Sequence, residues 1–234
     1  GVRLVGSEMC IRDSYIEYVS WLANVAASCE KILQEIRNLQ RSEIQEAGEG
    51  FDIKKQVGSS TMAHKKNPIK SENASGLARI VRSMIIPTYE NALLWHERDL
   101  ANSSSERFTL SHGSALCEDV INKTRQVLIN MWVDADRCLE NIKSQRGLVM
   151  AEKVMIELVE HGIPRDEAHE ILRSASFEAV DKKIELIDVC SRTPEIAAAF
   201  SAEELEAMFD PMNHIGVSGE IVDEAVNLAR LAVQ

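Results

Sequence analysis

Hydroxyl and cationic side chains lie close together in the segment from Gly58 to Asn67. Ser59 and Ser60 are neighbours, and Lys65 follows them within a few residues. A serine hydroxyl is a weak base and a weak nucleophile until nearby cations or hydrogen-bond donors stabilise its alkoxide. Gly58 leaves the backbone before the serines free of Cβ constraints. The segment therefore has the residue types of a mobile catalytic loop with an activated serine.

Two other interpretations of this loop can be compared with its spacing. A phosphate-binding loop of the Walker type requires Gly-x-x-x-x-Gly-Lys-Ser/Thr after a strand, and the absence of such a run here excludes that class. A solvated basic loop without chemistry has the same composition. Spacing alone therefore leaves the activated serine and the solvated loop open.

A helix start follows the loop. Asn67 can cap free backbone N–H groups, and Pro68 suits the first helical position because it has no N–H and a fixed φ. The N-terminus of this helix lies beside Lys65 and Lys66 in the sequence, so we expect it to attract an anion.

Long amphipathic helices dominate the rest of the pattern. Apolar residues recur at intervals of three and four, which predicts three long helices over residues 15–45, 68–95 and 102–132. Pro87 is expected to bend the second helix, and Asn102 or Ser103 is expected to cap the third. Aromatic residues make up only 5% of the chain, a balance that favours helices. We therefore expect an all-α fold, a long-helix bundle followed by a small C-terminal helical domain.

The two ends of the chain differ from its middle. Residues 1–14 lack helical periodicity and resemble translated sequencing adapter, so we interpret them as non-native and leave them out of the fold. Residues 15–146 are expected to form the bundle domain, incomplete on its N-terminal side because the protein is truncated there. Residues 147–234 are expected to form the C-terminal domain, in which Ser201 and Glu204 have the spacing of a capping box.

Charge and cysteine content limit the ligands and binding partners that the protein could have. The net charge of −11 argues against a nucleic-acid coat, yet residues 51–98 carry eight Lys or Arg against four Asp or Glu. A positive region in an acidic protein suits a polyanionic small molecule. The five cysteines lack the paired spacing of a metal site and are typical of reduced thiols in a cytoplasmic protein. We expect no metal, no cofactor, and no nucleic-acid or membrane partner.

Two segments resemble a known family. The first has the Ser-Ser-x-Met-x-x-Lys-x-Asn-Pro signature of the fumarase/aspartase superfamily, formed by Ser59, Ser60, Met62, Lys65, Asn67 and Pro68. The second, from Trp95 to Arg107, resembles the Glu-Arg-Asp-x-x-x-Ser-Ser-x-Glu-Arg segment of the adenylosuccinate lyase family. Ala63 departs from the family, which usually has proline there. The resemblance implies the superfamily's helical-bundle fold and β-elimination of fumarate from adenylosuccinate and from its succinylated carboxamide precursor in purine biosynthesis.

The resemblance also implies roles for individual residues. Ser59 would remove the proton, while Lys65 and Asn67 would contact the substrate carboxylate that carries the developing charge. Ser60 would add hydroxyl or backbone contacts to the same group. Glu72 would orient a histidine from another subunit; its alternative role is that of an acid that stabilises the helix N-terminus.

The second segment would bind the nucleotide. Arg98, Ser103 and Arg107 match family positions that hold substrate and its phosphate, and arginine forks suit phosphate oxygens. A surface network of glutamates and arginines is the alternative. The family's general-acid histidine is absent from residues 15–234, so the chain alone is expected to be inactive. The family builds each site from three subunits of a homotetramer.

Two further functions stay open. Argininosuccinate lyase or a carboxymuconate cycloisomerase would share residues 59–68 but should lack the Asn-Ser-Ser-Ser-Glu-Arg run that begins at Asn102. A non-catalytic helical assembly module would explain the long helices but leaves the serine loop and the positive region unexplained.

Overall fold

The computed structural model of the chain describes residues 2–51, 62, 65–96 and 99–233, with the backbone alone for residues 2–10. The expected all-α fold is confirmed. The chain forms two compact units, Gly1–Arg137 and Cys138–Gln234. The domain boundaries predicted from the sequence stay predictions. None of the helices within the described ranges is long and apolar enough to cross a membrane.

Helices account for most of the described chain. In order they are α1 (Val2–Leu39), α2 (Ile69–Ser83), α3 (Ile85–Glu90), α4 (Ala101–Glu106), a π-helix (Arg107–His112), α5 (Gly113–Asn130), α6 (Ala135–Ser144), a 3-10 turn (Leu148–Met150), α7 (Ala151–Glu160), α8 (Arg165–Lys182), α9 (Leu186–Cys190), α10 (Pro194–Ala199), α11 (Ala202–Phe209), a second 3-10 turn (Pro211–His214) and α12 (Ser218–Ala232). Two short strands, β1 (Ala47–Gly48) and β2 (Trp132–Val133), pair antiparallel with Gly48 opposite Trp132.

The first unit is a bundle of α1, α2 and α5. One buried apolar cluster contains Leu22, Ala26, Ala78, Val81, Cys117 and Val120. A second contains Leu33, Ile36, Ala74 and Val127. As residue numbers rise along α1 they fall along α2 and rise along α5, so α2 runs antiparallel to the other two helices. The C-terminal end of α1 and the N-terminal end of α2 therefore meet at one end of the bundle.

The first helix differs from the sequence prediction at both ends. It begins at Val2, so leaving residues 1–14 out of the fold was wrong, although their interpretation as non-native sequence stays a prediction. Arg12 is buried, and its Nε lies 2.8 Å from Oε1 of Glu106. The helix ends at Leu39 rather than near Gln45, because the chain turns there towards β1.

The second and third predicted helices are each divided. The second breaks after Ser83 instead of continuing to Trp95. Pro87 explains the break, because its ring clashes with the carbonyl four residues earlier, which belongs to Ser83. The third begins at Ala101, whose N–H is bound by Asp99 at 2.9 Å, so the cap predicted at Asn102 or Ser103 was wrong. It then passes through a π-helical turn before α5.

Glycines allow a close contact beside β1. A Cβ added to Gly48 would lie 2.6 Å from the Trp132 ring, and one added to Gly50 would collide with the carbonyl oxygen of Asn130. Between them Glu49 is buried, with 4% of its surface exposed. The Gly-Glu-Gly run therefore places a carboxylate inside the bundle end, where larger neighbours would not fit.

The second unit packs short helices around its own apolar core. Its largest fully buried side chains include Leu158, Leu186 and Ile196. The capping box predicted at Ser201 and Glu204 is confirmed at the start of α11.

Candidate functional site

An open cleft of about 960 Å³ lies at the bundle end where α1 stops and α2 begins. Helix α1 and the turn after it supply Gln34, Arg37, Asn38, Gln40 and Arg41. The signature segment supplies Met62, Lys65, Lys66, Asn67 and Pro68, and the first turn of α2 supplies Glu72. The signature residues are thus brought together with a second set of polar residues from α1.

Positive charge dominates this cleft. Its described lining residues include four cations, Arg37, Arg41, Lys65 and Lys66, against the single carboxylate of Glu72. A concave surface with this excess raises the local concentration of an anionic ligand. The arrangement suits a small molecule that carries several negative charges.

Three predicted site residues share the cleft. Lys65 and Glu72 are exposed, and Asn67 is half-buried. Their side chains can therefore reach a bound ligand. Ser59, Ser60 and Arg98 lie outside the described residues, and their roles stay predictions.

Ser103 and Arg107 are not among the described residues that line this cleft. Ser103 lies in α4 and Arg107 begins the π-helix, near the contact of Arg12 with Glu106. The part of α1 from Arg12 to its C-terminal end spans about 40 Å, at roughly 1.5 Å per residue. One copy of the chain therefore holds the two motif segments at opposite ends of its bundle.

The start of α2 is capped by a residue from outside the loop. Pro68 occupies the cap position without a side-chain bond, so the cap predicted at Asn67 was wrong. Oε1 of Glu49 accepts the N–H of Lys70 at 3.1 Å. Oε2 accepts the N–H of Ser71 at 2.9 Å and its hydroxyl at 2.8 Å. The N–H groups expected to attract an external anion therefore bind an internal carboxylate.

Gln40 connects this cap to the signature segment. Its Oε1 accepts the N–H of Glu49 at 2.9 Å, and its Nε2 donates to the carbonyl oxygen of Lys66 at 3.0 Å. Neither Gln40 nor Glu49 had a role in the site predicted from the sequence. A signal was present in the acid flanked by Gly48 and Gly50, because two such glycines indicate a close backbone approach.

Asp99 organises the second motif. Its carboxylate accepts the N–H of Ala101 at 2.9 Å and that of Trp95 at 3.0 Å. These two bonds, the Ala101 bond first, lower the pKa of Asp99 below its ordinary value. The carboxylate therefore stays ionised and holds the turn that leads into α4.

Metal chemistry has no ligand set in the described part of the chain. No group of three or more His, Cys, Asp or Glu side chains that could hold an ion occurs there. Burial raises the pKa of Cys190 to about 12, so this thiol stays protonated at neutral pH.

Comparisons with known proteins relate the chain to adenylosuccinate lyases. Residues 147–225 match the family model "Adenylosuccinate lyase C-terminus", and residues 7–83 match the family model "Lyase". The chain is 43% identical to the adenylosuccinate lyase of Archaeoglobus fulgidus over 95% of its own length and 50% of the relative. Against that of Methanothermobacter thermautotrophicus the identity is 41%, with the same coverage.

A solved structure has the same architecture. The 3-carboxy-cis,cis-muconate lactonizing enzyme from Pseudomonas putida superposes with a TM-score of 0.81 and 30% identity. The match covers 92% of this chain and 47% of that enzyme. The chain thus spans about half the length of the curated relatives and of this structure.

Proposed function

Because the chain belongs to the adenylosuccinate lyase family, we propose that the whole protein releases fumarate from adenylosuccinate to give AMP. By the same resemblance it also cleaves the succinylated aminoimidazole carboxamide ribotide. The observation that carries the proposal is the cationic cleft in which Lys65, Asn67 and Glu72 meet. A succinylated nucleotide carries two carboxylates and a phosphate, and this excess of positive charge suits it.

The reaction is an elimination. A base removes a proton from the carbon next to a succinyl carboxylate, the electron pair forms the double bond of fumarate, and the C–N bond breaks. The leaving purine amine then receives a proton. We assign the base to Ser59, with Ser60 contacting the same carboxylate. Charge that develops on the carboxylate needs fixed donors, and the Lys65 ammonium and Asn67 amide are suited to that task.

Glu72 is suited to a partner from another copy. It is exposed in the first turn of α2 on the cleft wall. Its carboxylate is therefore available to orient an imidazole from another copy. We propose this role for Glu72, with the histidine acting as general acid towards the leaving amine.

The separation of the motif segments supports a shared site. Arg107 and Ser103, with Arg98, are proposed to bind the nucleotide and its phosphate. In one copy Arg107 and Ser103 lie near Glu106, which pairs with Arg12, and α1 rises roughly 33 Å from Arg12 to Gln34, where the cleft begins. We therefore propose a homotetramer in which different copies supply the two segments to each site.

A mixing experiment tests the shared site. Full-length Lys65→Ala and Arg107→Ala variants are each expected to lose at least about 100-fold in kcat/KM. After dissociation and reassociation together, some sites receive an intact Lys65 from one copy and an intact Arg107 from another. Fumarate release should then rise well above that of either variant alone. No recovery in reassembled tetramers would contradict the shared site.

The structural neighbour favours one other reaction. The similarity of this chain to a lactonizing enzyme makes cycloisomerisation of a carboxylated muconate the second candidate reaction. The higher identity to adenylosuccinate lyases and the match of residues 147–225 favour elimination from adenylosuccinate. Assaying the full-length protein with both substrates separates the two. Fumarate and AMP are expected from adenylosuccinate, and turnover of the muconate alone would overturn the proposal.

A further inference from the structure

We propose that Glu49 is a positioning residue that fixes the junction of the signature loop and α2, so that Lys65, Asn67 and Glu72 face the cleft together. Glu49 is not among the described residues that line the cleft. It therefore acts through its neighbours rather than on substrate. This inference rests on the proposed function, because its main readout is the elimination.

The Glu49 carboxylate joins the two sides of the loop. Glu49 precedes the loop in sequence, and Lys70 and Ser71 follow it. Three donors from the first turn of α2 occupy the two carboxylate oxygens, at 2.8 to 3.1 Å. With 4% of Glu49 and none of Ser71 exposed, water cannot replace these bonds. A buried carboxylate without such partners would be costly, so the position of Glu49 and the position of α2 depend on each other.

Gln40 connects the Glu49 cap to the backbone that carries the cationic residues of the cleft. The Lys66 carbonyl to which Gln40 donates lies in the backbone between Lys65 and Asn67. The other end of the Gln40 amide accepts the Glu49 N–H. The end of α1, the Gly-Glu-Gly run and the signature segment are therefore joined by one chain of hydrogen bonds. A shift at Glu49 would displace the backbone that carries Lys65 and Asn67.

The Glu49 carboxylate also determines which groups of the cleft are left to bind an anionic substrate. A helix N-terminus carries a partial positive charge that its free N–H groups present to anions. In α2 the carboxylate of Glu49 offsets that charge and occupies the N–H groups of Lys70 and Ser71. Anion recognition in this cleft therefore depends on side-chain cations, whose placement must be accurate. Small misplacements of catalytic groups reduce rates strongly, even when binding is largely kept.

The test compares two capping acids in the full-length protein. Glu49→Gln presents amide N–H groups to the N–H groups of α2 and loses at least one bond. We expect kcat for fumarate release to fall by about tenfold or more, with KM changed less than about threefold. Glu204→Gln removes the capping acid of α11 in the other unit, and its kcat is expected to stay within about twofold of the unmodified protein.

A double-mutant cycle separates positioning from general stability. If Glu49 acts through the signature segment, Glu49→Gln should cost about tenfold in kcat alone but less than about threefold on the Asn67→Ala background. A general loss of stability would reduce kcat by the same factor on both backgrounds. Equal factors would therefore overturn the inference.

The remaining outcomes are also decisive. An unmodified protein that releases no fumarate overturns the proposed function and this inference together. An active protein in which Glu49→Gln keeps its kcat overturns this inference alone. Should Glu49→Gln fail to fold, Gln40→Ala leaves the carboxylate in place and removes the bonds of Gln40 to the Lys66 carbonyl and to the Glu49 N–H. Its kcat is expected to fall by about threefold or more, and an unchanged kcat would contradict the role.

Discussion

Carboxylates cap the starts of both α2 and α11, yet these two carboxylates reach their helices by different routes. At α11, Glu204 accepts the N–H and the hydroxyl of Ser201 at 2.8 Å, within one turn. At α2, Glu49 comes from before the loop and bonds Ser71 across 22 residues of sequence. The first acid is exposed and the second is buried.

The two caps differ in what they do: the cap of α11 stabilises one helix, whereas the cap of α2 also positions a loop. A local cap stabilises its own helix and constrains nothing else. The long-range cap fixes one segment of chain against another, and here the intervening loop carries the signature residues. Glu49 can reach α2 only because β1 pairs with β2 and because Gly48 and Gly50 permit close packing. We therefore expect perturbations of the α2 start to affect chemistry and those of the α11 start to affect only stability.

The largest expected effect is a loss of kcat/KM, and it is tested by replacing one lysine in each unit. Lys65→Ala in the full-length protein should reduce kcat/KM for fumarate release by about 100-fold to 1,000-fold, because the proposed donor to the developing carboxylate charge is lost. Lys153→Ala removes a half-buried cation that pairs with Glu157 in the second unit, and the kcat/KM of the variant should be nearly unchanged. Steady-state assays measure both. Equal losses would show that the cleft has no special role.

The second prediction concerns the free energy of unfolding. Glu49→Ala leaves the N–H groups of Lys70 and Ser71 and a buried hydroxyl without their acceptor, so the first unit should lose about 3 kcal/mol. All three tryptophans lie in that unit, and urea unfolding followed by their fluorescence measures its stability. Glu204→Ala should leave this fluorescence transition unchanged. A shift of the transition by both variants would mean that the two caps are not independent.

The third prediction tests the glycine beside the buried acid. Gly50→Ala should destabilise the first unit by about 2 kcal/mol, because the new Cβ meets the Asn130 carbonyl oxygen and the backbone must shift. Gly76 is the matched control, since it lies in α2 with open space around its Cβ position. Gly76→Ala should instead stabilise the unit by about 0.5 to 1 kcal/mol. The same fluorescence transition reports both changes, and a neutral Gly50→Ala would contradict the close packing.

The two caps also differ in how far the sequence predicts them. The all-α fold followed from apolar spacing, and the α11 cap followed from a serine and a glutamate three residues apart. Local geometry determines both. The motif resemblance selected Lys65, Asn67 and Glu72, which the structure brings into one cleft.

Features that depend on packing could not be predicted in the same way. Asn67 was the nearest capping residue in sequence, but the strand pairing delivers Glu49 to α2 instead. The break after Ser83 was expected only as a bend, because sequence does not say whether a neighbouring helix compensates for Pro87. The distance between the two motif segments requires the order of the helices in the bundle, which periodicity does not contain.

The smallest expected effect is a pH dependence confined to the second unit. Hydrogen bonds from the Ser201 N–H and then from its hydroxyl lower the pKa of Glu204 below its ordinary value of 4.5. Because the folded state holds the carboxylate in its charged form, this contribution to stability is present above 4.5 and is lost as the pH falls through the lowered pKa. Glu204→Gln should therefore weaken the second unit at pH 7 and have little effect at pH 2. Circular dichroism should show this difference while tryptophan fluorescence stays unchanged, and an equal effect at both pH values would mean that the charge of Glu204 contributes nothing to the cap.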